Sequence, residues 1–311
     1  GGTTYSWTGP NSYSASVSSP SIANATVAAT GMYSVNVGDA NNCQTTGTVN
    51  VTVNANPVPV VGSNSPICAG NTLNLTASGG TTYSWTGPNS YSASASSPSI
   101  ANATVAATGM YSVNVGDANN CHTTGTVNVT VNANPVPVVG SNSPICAGST
   151  LNLTASGGTT YSWTGPNSYS ASVSSPSITN ATVAATGMYS VNVGDANNCH
   201  TTGTVNVTVN ANPVPAIFPL GPTAFCSGGS VLLDGGSYDS YQWNTSPTQS
   251  SSSIVVSESS TFDLQVWDNN GCTGTSAPIT ITVYPNPTPS ISSMGPTSFC
   301  AGGSVLLDGG S

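Results

Sequence analysis

The sequence predicts an all-β chain, a tandem array of β-sandwich domains, on three observations. The first is internal repetition: GGTTYSWTGPNSYSAS starts at Gly1, Gly79 and Gly157, a period of 78 residues with almost letter-perfect copies. The second is a hydrophobic period of two. Leu73, Leu75 and Ala77 share one face of TLNLTA, Tyr111, Val113 and Val115 one face of MYSVNV, and Val127, Val129 and Val131 one face of TVNVTV. Such alternation marks half-buried antiparallel strands, with Asn, Ser and Thr facing water. The third is punctuation: clusters such as GDANN and ASGG read as hairpin or arch turns, and no segment carries a helical period. Seven or so short strands in about 78 residues make one sandwich per repeat.

In chain order, residues 1–56 are expected to form an incomplete domain that lacks its first strands. Residues 57–134 and 135–212 are complete repeats, 213–287 is a divergent one, and 288–311 supply the first strands of a further domain. The divergent unit shows in CSGGSVLLDGGSYDSYQW from Cys226, and CAGGSVLLDGGS restarts at Cys300, 74 residues later. Both ends fall inside a repeat, as expected of a window on a longer array or of a unit completed by its neighbours. GTVNVTVNANPVPVVGSNSPICAG at Gly47–Gly70 recurs unchanged at Gly125–Gly148. It reads as a last strand, a stiff NPVP linker and the first strand and turn of the next domain. Proline fixes φ there, so successive domains are expected to hold a defined orientation. The expected core is Trp7, Trp85, Trp163 and Trp243 on a central strand, with Tyr33, Tyr111, Tyr189 and Phe262 on a later one.

Composition excludes whole classes of function. The 311 residues include no lysine or arginine against nine acids, a formal charge of -9. Such a chain cannot neutralise phosphates, so neither nucleic-acid binding nor attraction to anionic headgroups is expected. No apolar run approaches the ~20 residues that span a membrane, and no signal peptide opens the chain. Only 3% of residues are charged, while Ser, Thr and Asn keep the surface polar, a profile that suits a secreted protein. Catalysis is not expected either: oxyanion and phosphate chemistry lack their cations, and general acid–base work has two histidines and one glutamate, Glu258, to draw on.

The pattern CAG…LNLTASGG…YSWTGP…ATVAATGMYSVNVGDANNC resembles the immunoglobulin-like (Ig-like) and PKD-like repeats of Bacteroidota surface proteins, including gliding-motility adhesins exported by the type IX pathway. The matching residues are Tyr-x-Trp (Tyr83, Trp85; Tyr161, Trp163; Tyr241, Trp243), Gly-x-Tyr (Gly109, Tyr111; Gly187, Tyr189) and Asp-x-Asn-x-Cys (Asp117, Asn119, Cys121; Asp268, Asn270, Cys272). The resemblance covers the whole chain. It implies tandem Ig-like sandwiches in an elongated rod or filament, located extracellularly at the cell surface, and is specific for architecture rather than activity.

Eight cysteines fall into two sets: Cys68, Cys146, Cys226 and Cys300 in the turn before the second strand, and Cys43, Cys121, Cys199 and Cys272 in the late hairpin. In an extracellular chain they read as a disulfide framework. One reading closes each domain on itself, Cys68 with Cys121, Cys146 with Cys199 and Cys226 with Cys272. The other starts from the Ig-like strand order that the resemblance implies, which places the two sets at opposite poles. An eight-residue strand is about 26 Å long and the Cα atoms of a disulfide lie within ~7 Å. On that reading the bridges are Cys68 to Cys199 and Cys146 to Cys272, between successive domains. Both readings stand at this point.

Other constellations are weaker. Asp and Asn oxygens, the ligand type calcium takes, cluster in GDANN and WDNNGC, but no loop spaces them as a dedicated site does, and turn chemistry accounts for them. His122 and His200 adjoin hairpin cysteines, yet the first copy carries Gln44 there, which argues against a metal ligand. The expected function is therefore structural: a segment of an extracellular bacterial fibre, stalk or filament that projects or assembles an adhesin. Its partners would be adjacent copies or the continuation of the same chain, head to tail. Each domain would add about 35 to 40 Å, and four units roughly 150 Å. The alternative is a multivalent module that binds surface glycans. The sequence offers that alternative no aromatic platform outside expected core positions.

Overall fold

The structure, a computed structural model, describes residues 2–310, so the repeat start at Gly1 and the final Ser311 lie outside the described residues. Two compact units are present, one of Gly1–Val136 with Gly194–Thr201, the other of Pro137–Val193 with Thr202–Ser311. Among the described residues there is no α-helix; between strands lie single 3-10 turns such as Pro88–Ser90 and Val105–Ala107.

The first unit shows how the repeat folds. Val60–Ser63, Leu73–Ser78 and Ser99–Ile100 form one antiparallel sheet. The facing sheet runs Tyr91–Ala93, Thr82–Gly87, Gly109–Gly116, His122–Val129. Alternation decides which side chains meet between them: Leu73, Leu75, Trp85, Tyr111, Val113 and Val115 are all fully buried, while Asn74, Ser84, Thr86 and Asn114 between and beside them face water. Truncating such a tryptophan to alanine costs roughly 3 to 5 kcal/mol. The Trp85 indole N–H still needs a partner and donates to the Ala95 carbonyl at 3.0 Å.

Two details belong to the Ig-like corner. The Tyr111 hydroxyl donates to the carbonyl of Ala107, four residues upstream, at 3.0 Å, and Tyr33 and Tyr189 do the same to Ala29 and Ala185. Gly109 enters this strand at φ +147°, and a Cβ there would come within 2.8 Å of Pro88 Cγ, so only glycine fits. Antibody domains carry the second cysteine of an inter-sheet bridge two residues after this tyrosine. Here that position is Val113, and among the described residues the core between these sheets holds no cysteine.

Two findings differ from simple alternation. TVNVTV does not act as one strand: His122–Val129 pairs with Gly109–Gly116, and Val131–Asn132 crosses to pair in parallel with Ile67–Cys68. Cys68 thus stands in a two-residue strand rather than a bare turn. Trp7, expected in the core, is only half-buried. Its strand, Thr4–Gly9, lies in a sheet with Tyr13–Ala15, Gly31–Gly38 and Gln44–Val51, and the described residues before Val60 supply no facing sheet to cover it. Tyr33 on the same sheet is buried.

The second unit repeats the arrangement around Leu151, Leu153, Trp163, Tyr189 and Val191. It adds a divergent sandwich around Leu233, Trp243, Phe262, Leu264 and Ile281. Phe262 has no hydroxyl, and the strand breaks there: Ser260–Phe262 pairs with Ile279–Tyr284, whereas Leu264–Trp267 pairs with Ser240–Trp243. Ser292–Ser293 and Leu307–Asp308 form a short antiparallel pair with Ile291 and Leu307 exposed.

Candidate functional site

The chemistry-bearing residues of the chain are its cysteines, and each set is held by its own local device. In the hairpins an aspartate carboxylate organises the turn. Asp117 Oδ1 accepts the backbone N–H of Asn119 at 2.8 Å and of Cys121 at 2.9 Å. Asp39, Asp195 and Asp268 do the same for Asn41 and Cys43, Asn197 and Cys199, and Asn270 and Cys272. The turn requires positive φ at the residue before the cysteine. Asn42, Asn120 and Asn198 take φ near 60°, and Gly271 takes 75° in the divergent copy. Donation from the Cys43 N–H holds the Asp39 carboxyl below its ordinary range, and those from Cys121 and Cys199 do so for Asp117 and Asp195. One oxygen of each of these aspartates, Oδ1, is thus engaged by backbone donors in the turn.

The other set sits at the parallel strand pair. Cys68 is in register with Asn132, Ala69 N–H donates to the Asn132 carbonyl at 2.8 Å, and Asn134 Nδ2 donates to the Ala69 carbonyl at 2.9 Å. Cys146 has the same frame through Asn210, Ala147 and Asn212.

In the first unit Cys68 bonds Cys199, with Cα atoms 5.5 Å apart; in the second Cys146 bonds Cys272 at 5.4 Å. Each bridge runs from the first turn of one repeat copy to the hairpin of the next. None of the self-closed pairs, Cys68 with Cys121, Cys146 with Cys199 or Cys226 with Cys272, is formed. Cys68 lies beside Asn132, and Cys121 precedes the opposite end of the eight-residue strand His122–Val129, roughly 30 Å away at strand rise. Cys199 and Cys272 are fully buried around their bridges. Cys43, Cys226 and Cys300 are exposed free thiols and Cys121 is a half-buried one. His122 lies in register with Gly116 at the hairpin mouth and His200 opens the equivalent strand His200–Val207, while Gln44 of the first copy accepts from Asn36 Nδ2 at 2.8 Å.

One feature escaped the sequence reading. Trp267 stands where the copies have Gly38, Gly116 and Gly194, on the outer face of its sheet beside Ser240. It lines an open cleft of about 770 Å³ with Asp239, Gln242, Thr248 and Asn269. A Cβ at Gly116 would meet Thr82 Oγ1 at 2.5 Å and the His122 ring at 2.6 Å. In the divergent unit the same register positions hold the smaller Ser240 and Thr273, which makes room for the indole. That paired change was the available signal.

No family model matches the sequence, and no curated protein matches it. Among solved structures the chain is similar to the three N-terminal domains of the highly immunogenic outer capsid protein of bacteriophage RB49, at 16% identity and a TM-score of 0.33, over 74% of this chain and 99% of that one. It is similar to a 1.5-MDa bacterial ice-binding adhesin at 16% and 0.32, over 75% and 99%. It is also similar to the eight N-terminal Ig domains of Down syndrome cell adhesion molecule at 14% and 0.27, over 98% of this chain and 47% of that one. The fold assignment itself rests on the strand order above: the chain is an all-β series of Ig-like sandwiches. Its two disulfides fit an oxidising, extracellular setting.

Proposed function

We propose that this chain is a structural segment of an extracellular bacterial surface fibre, stalk or filament, in which serial Ig-like domains project or assemble an adhesin. The domains are 1–56, 57–134, 135–212, 213–287 and 288–311, the first and last being partial. One observation carries the reading: the same bridge, from first turn to following hairpin, occurs twice in the same register. A bridge within a domain stabilises a bead, whereas a bridge between successive repeats restrains the joint and suits a load-bearing spacer. The resemblance to Bacteroidota adhesin repeats supports the surface location. Small-angle scattering of the oxidised chain tests it. A serial array about 150 Å long has a radius of gyration of about 40 Å, against about 20 Å for a compact globule of this size. The reading expects the larger value and is abandoned at the smaller.

A second reading, glycan binding, is favoured by the Trp267 cleft, where an indole stands among Asp239, Gln242 and Asn269. Stacking on the indole would orient a sugar, and the polar groups would bond its hydroxyls. Tryptophan fluorescence titrated with polysaccharides, with Trp267→Ala weakening binding about tenfold, is the expected outcome. A flat titration retires the reading.

A further inference from the structure

We infer that the four free thiols are two kinds of half-bridge, and that each bonds a cysteine of the opposite kind on a neighbouring repeat unit of this same type. The two bridges present define the rule: a first-turn cysteine bonds a hairpin cysteine 131 or 126 residues further on. By that rule Cys226 and Cys300 each call for a hairpin cysteine, and Cys43 and Cys121 each for a first-turn cysteine, on another unit. None has a partner at that spacing within the 311 residues. The inference extends the structural reading above to the partner, and rests on it.

The geometry shows that these thiols are already set for bonding. Cys43 and Cys121 sit on the same aspartate-held hairpin as the bonded Cys199 and Cys272, with carboxylate-to-cysteine N–H distances of 2.8 to 2.9 Å in all four. Cys226 reproduces the frame of the bonded Cys68 and Cys146. Its strand, Ala224–Cys226, pairs in parallel with Ile279–Tyr284, Ser227 N–H donates to the Tyr284 carbonyl at 2.8 Å, and Asn286 Nδ2 donates to the Ser227 carbonyl at 3.0 Å. Asn286 thus does for Cys226 what Asn134 does for Cys68, although the sequence around it has diverged. At Cys300 the turn bond from Gly303 N–H to the Cys300 carbonyl, 3.0 Å, matches that from Gly229 to Cys226. Cys43, Cys121 and Cys226 are therefore built like their bonded counterparts, and Cys300 shares the turn bond alone. Cys199 differs from Cys121 in having its partner, and in being fully buried.

Forming each bond removes a proton from each of two thiols and transfers two electrons to a disulfide oxidant of the export compartment, which leaves as a dithiol. The partner unit comes from either a second copy of this chain or the continuation of the same polypeptide. In the first case Cys226 would meet Cys43, and Cys300 would meet Cys121, of the following copy, so that the four half-bridges close in two pairs.

The test is alkylation of the isolated, unreduced assembly with N-ethylmaleimide under native and then denaturing conditions, followed by peptic peptide mapping and electrophoresis with and without reductant. The inference expects no adduct on any of the four, and hairpin peptides linked only to first-turn peptides. A ladder that collapses on reduction to a species near 30.7 kDa identifies a second copy, and a large species that survives reduction identifies a continuous chain; either supports the inference. Cys226→Ser with Cys300→Ser should abolish the ladder and leave Cys68–Cys199 and Cys146–Cys272 intact. Adducts on Cys43, Cys121, Cys226 or Cys300, or a bond between two cysteines of one kind, would overturn it. If the two internal bridges survive that result, the structural reading stands without the inference.

Discussion

The hairpins that carry Cys121 and Cys199 share the sequence GDANNCHTTG and the same hydrogen bonds, yet one thiol is free and half-buried and the other is bonded and fully buried. Local sequence therefore sets the shape of the hairpin and presents the sulfur. The covalent outcome depends on which first turn is brought to it. A repeat protein can in this way write one joint many times, and the bridges follow from the order of the units rather than from any difference between them.

Removing the bond at one hairpin and the thiol at the other gives the largest contrast. Cys68→Ser with Cys199→Ser should lower stability by about 2 to 4 kcal/mol, since a long loop is released in the unfolded chain. The corresponding fall in calorimetric midpoint is on the order of 10 °C. Cys121→Ser in the isolated chain should stay within about 0.5 kcal/mol of the parent. Equal losses would mean that the bridge adds nothing beyond the cysteine itself.

The turn carboxylate supplies a second, smaller contrast. Asp117→Ala removes the acceptor for Asn119 and Cys121 and should speed amide exchange at both. Asp195→Ala should do less at Cys199, because the disulfide still ties the hairpin down. Exchange measured by mass spectrometry on peptic fragments would separate the two, and identical acceleration would deny the bridge any role in ordering the turn.

Acid gives the smallest effect. The Asp39, Asp117 and Asp195 carboxyls are held below their ordinary range, chiefly by the cysteine N–H bonds. A lowered folded-state pKa means that the unfolded chain binds the proton more readily. The hairpin stabilisation is therefore complete above the ordinary aspartate value near 4, and is lost as pH falls through the lowered value. Hairpin amide exchange, corrected for its intrinsic pH dependence, should be level from pH 7 to 5 and rise only in stronger acid. A rise already near pH 6 would contradict the assignment to these carboxyls.

Much of this architecture was legible in particular residues. Leu73, Leu75, Trp85, Tyr111 and Val113 declared their burial by alternation, and Asp117 and Asn120 declared the turn by their chemistry. The pairing was not, because periodicity names a face and not a partner: nothing in TVNVTV announces that Val131 crosses to Ile67. The two-residue strand at Cys68 is too short for any period, yet it is what sets the sulfur at the end of the sandwich away from its own hairpin. Trp267 was not legible, because alternation alone does not say that the position after Val266 opens outward; the register with Ser240 and Thr273, where the copies have Thr82 and His122, carried the difference.

The most direct measurement is the connectivity of the inner bridges, by non-reducing mass spectrometry of peptic fragments, since a chain without lysine or arginine offers trypsin no site. Fragments linked through Cys68 and Cys199 and through Cys146 and Cys272 are expected. Fragments linked through Cys68 and Cys121, or through Cys146 and Cys199, would contradict that connectivity, and would return the molecule to a string of self-closed domains.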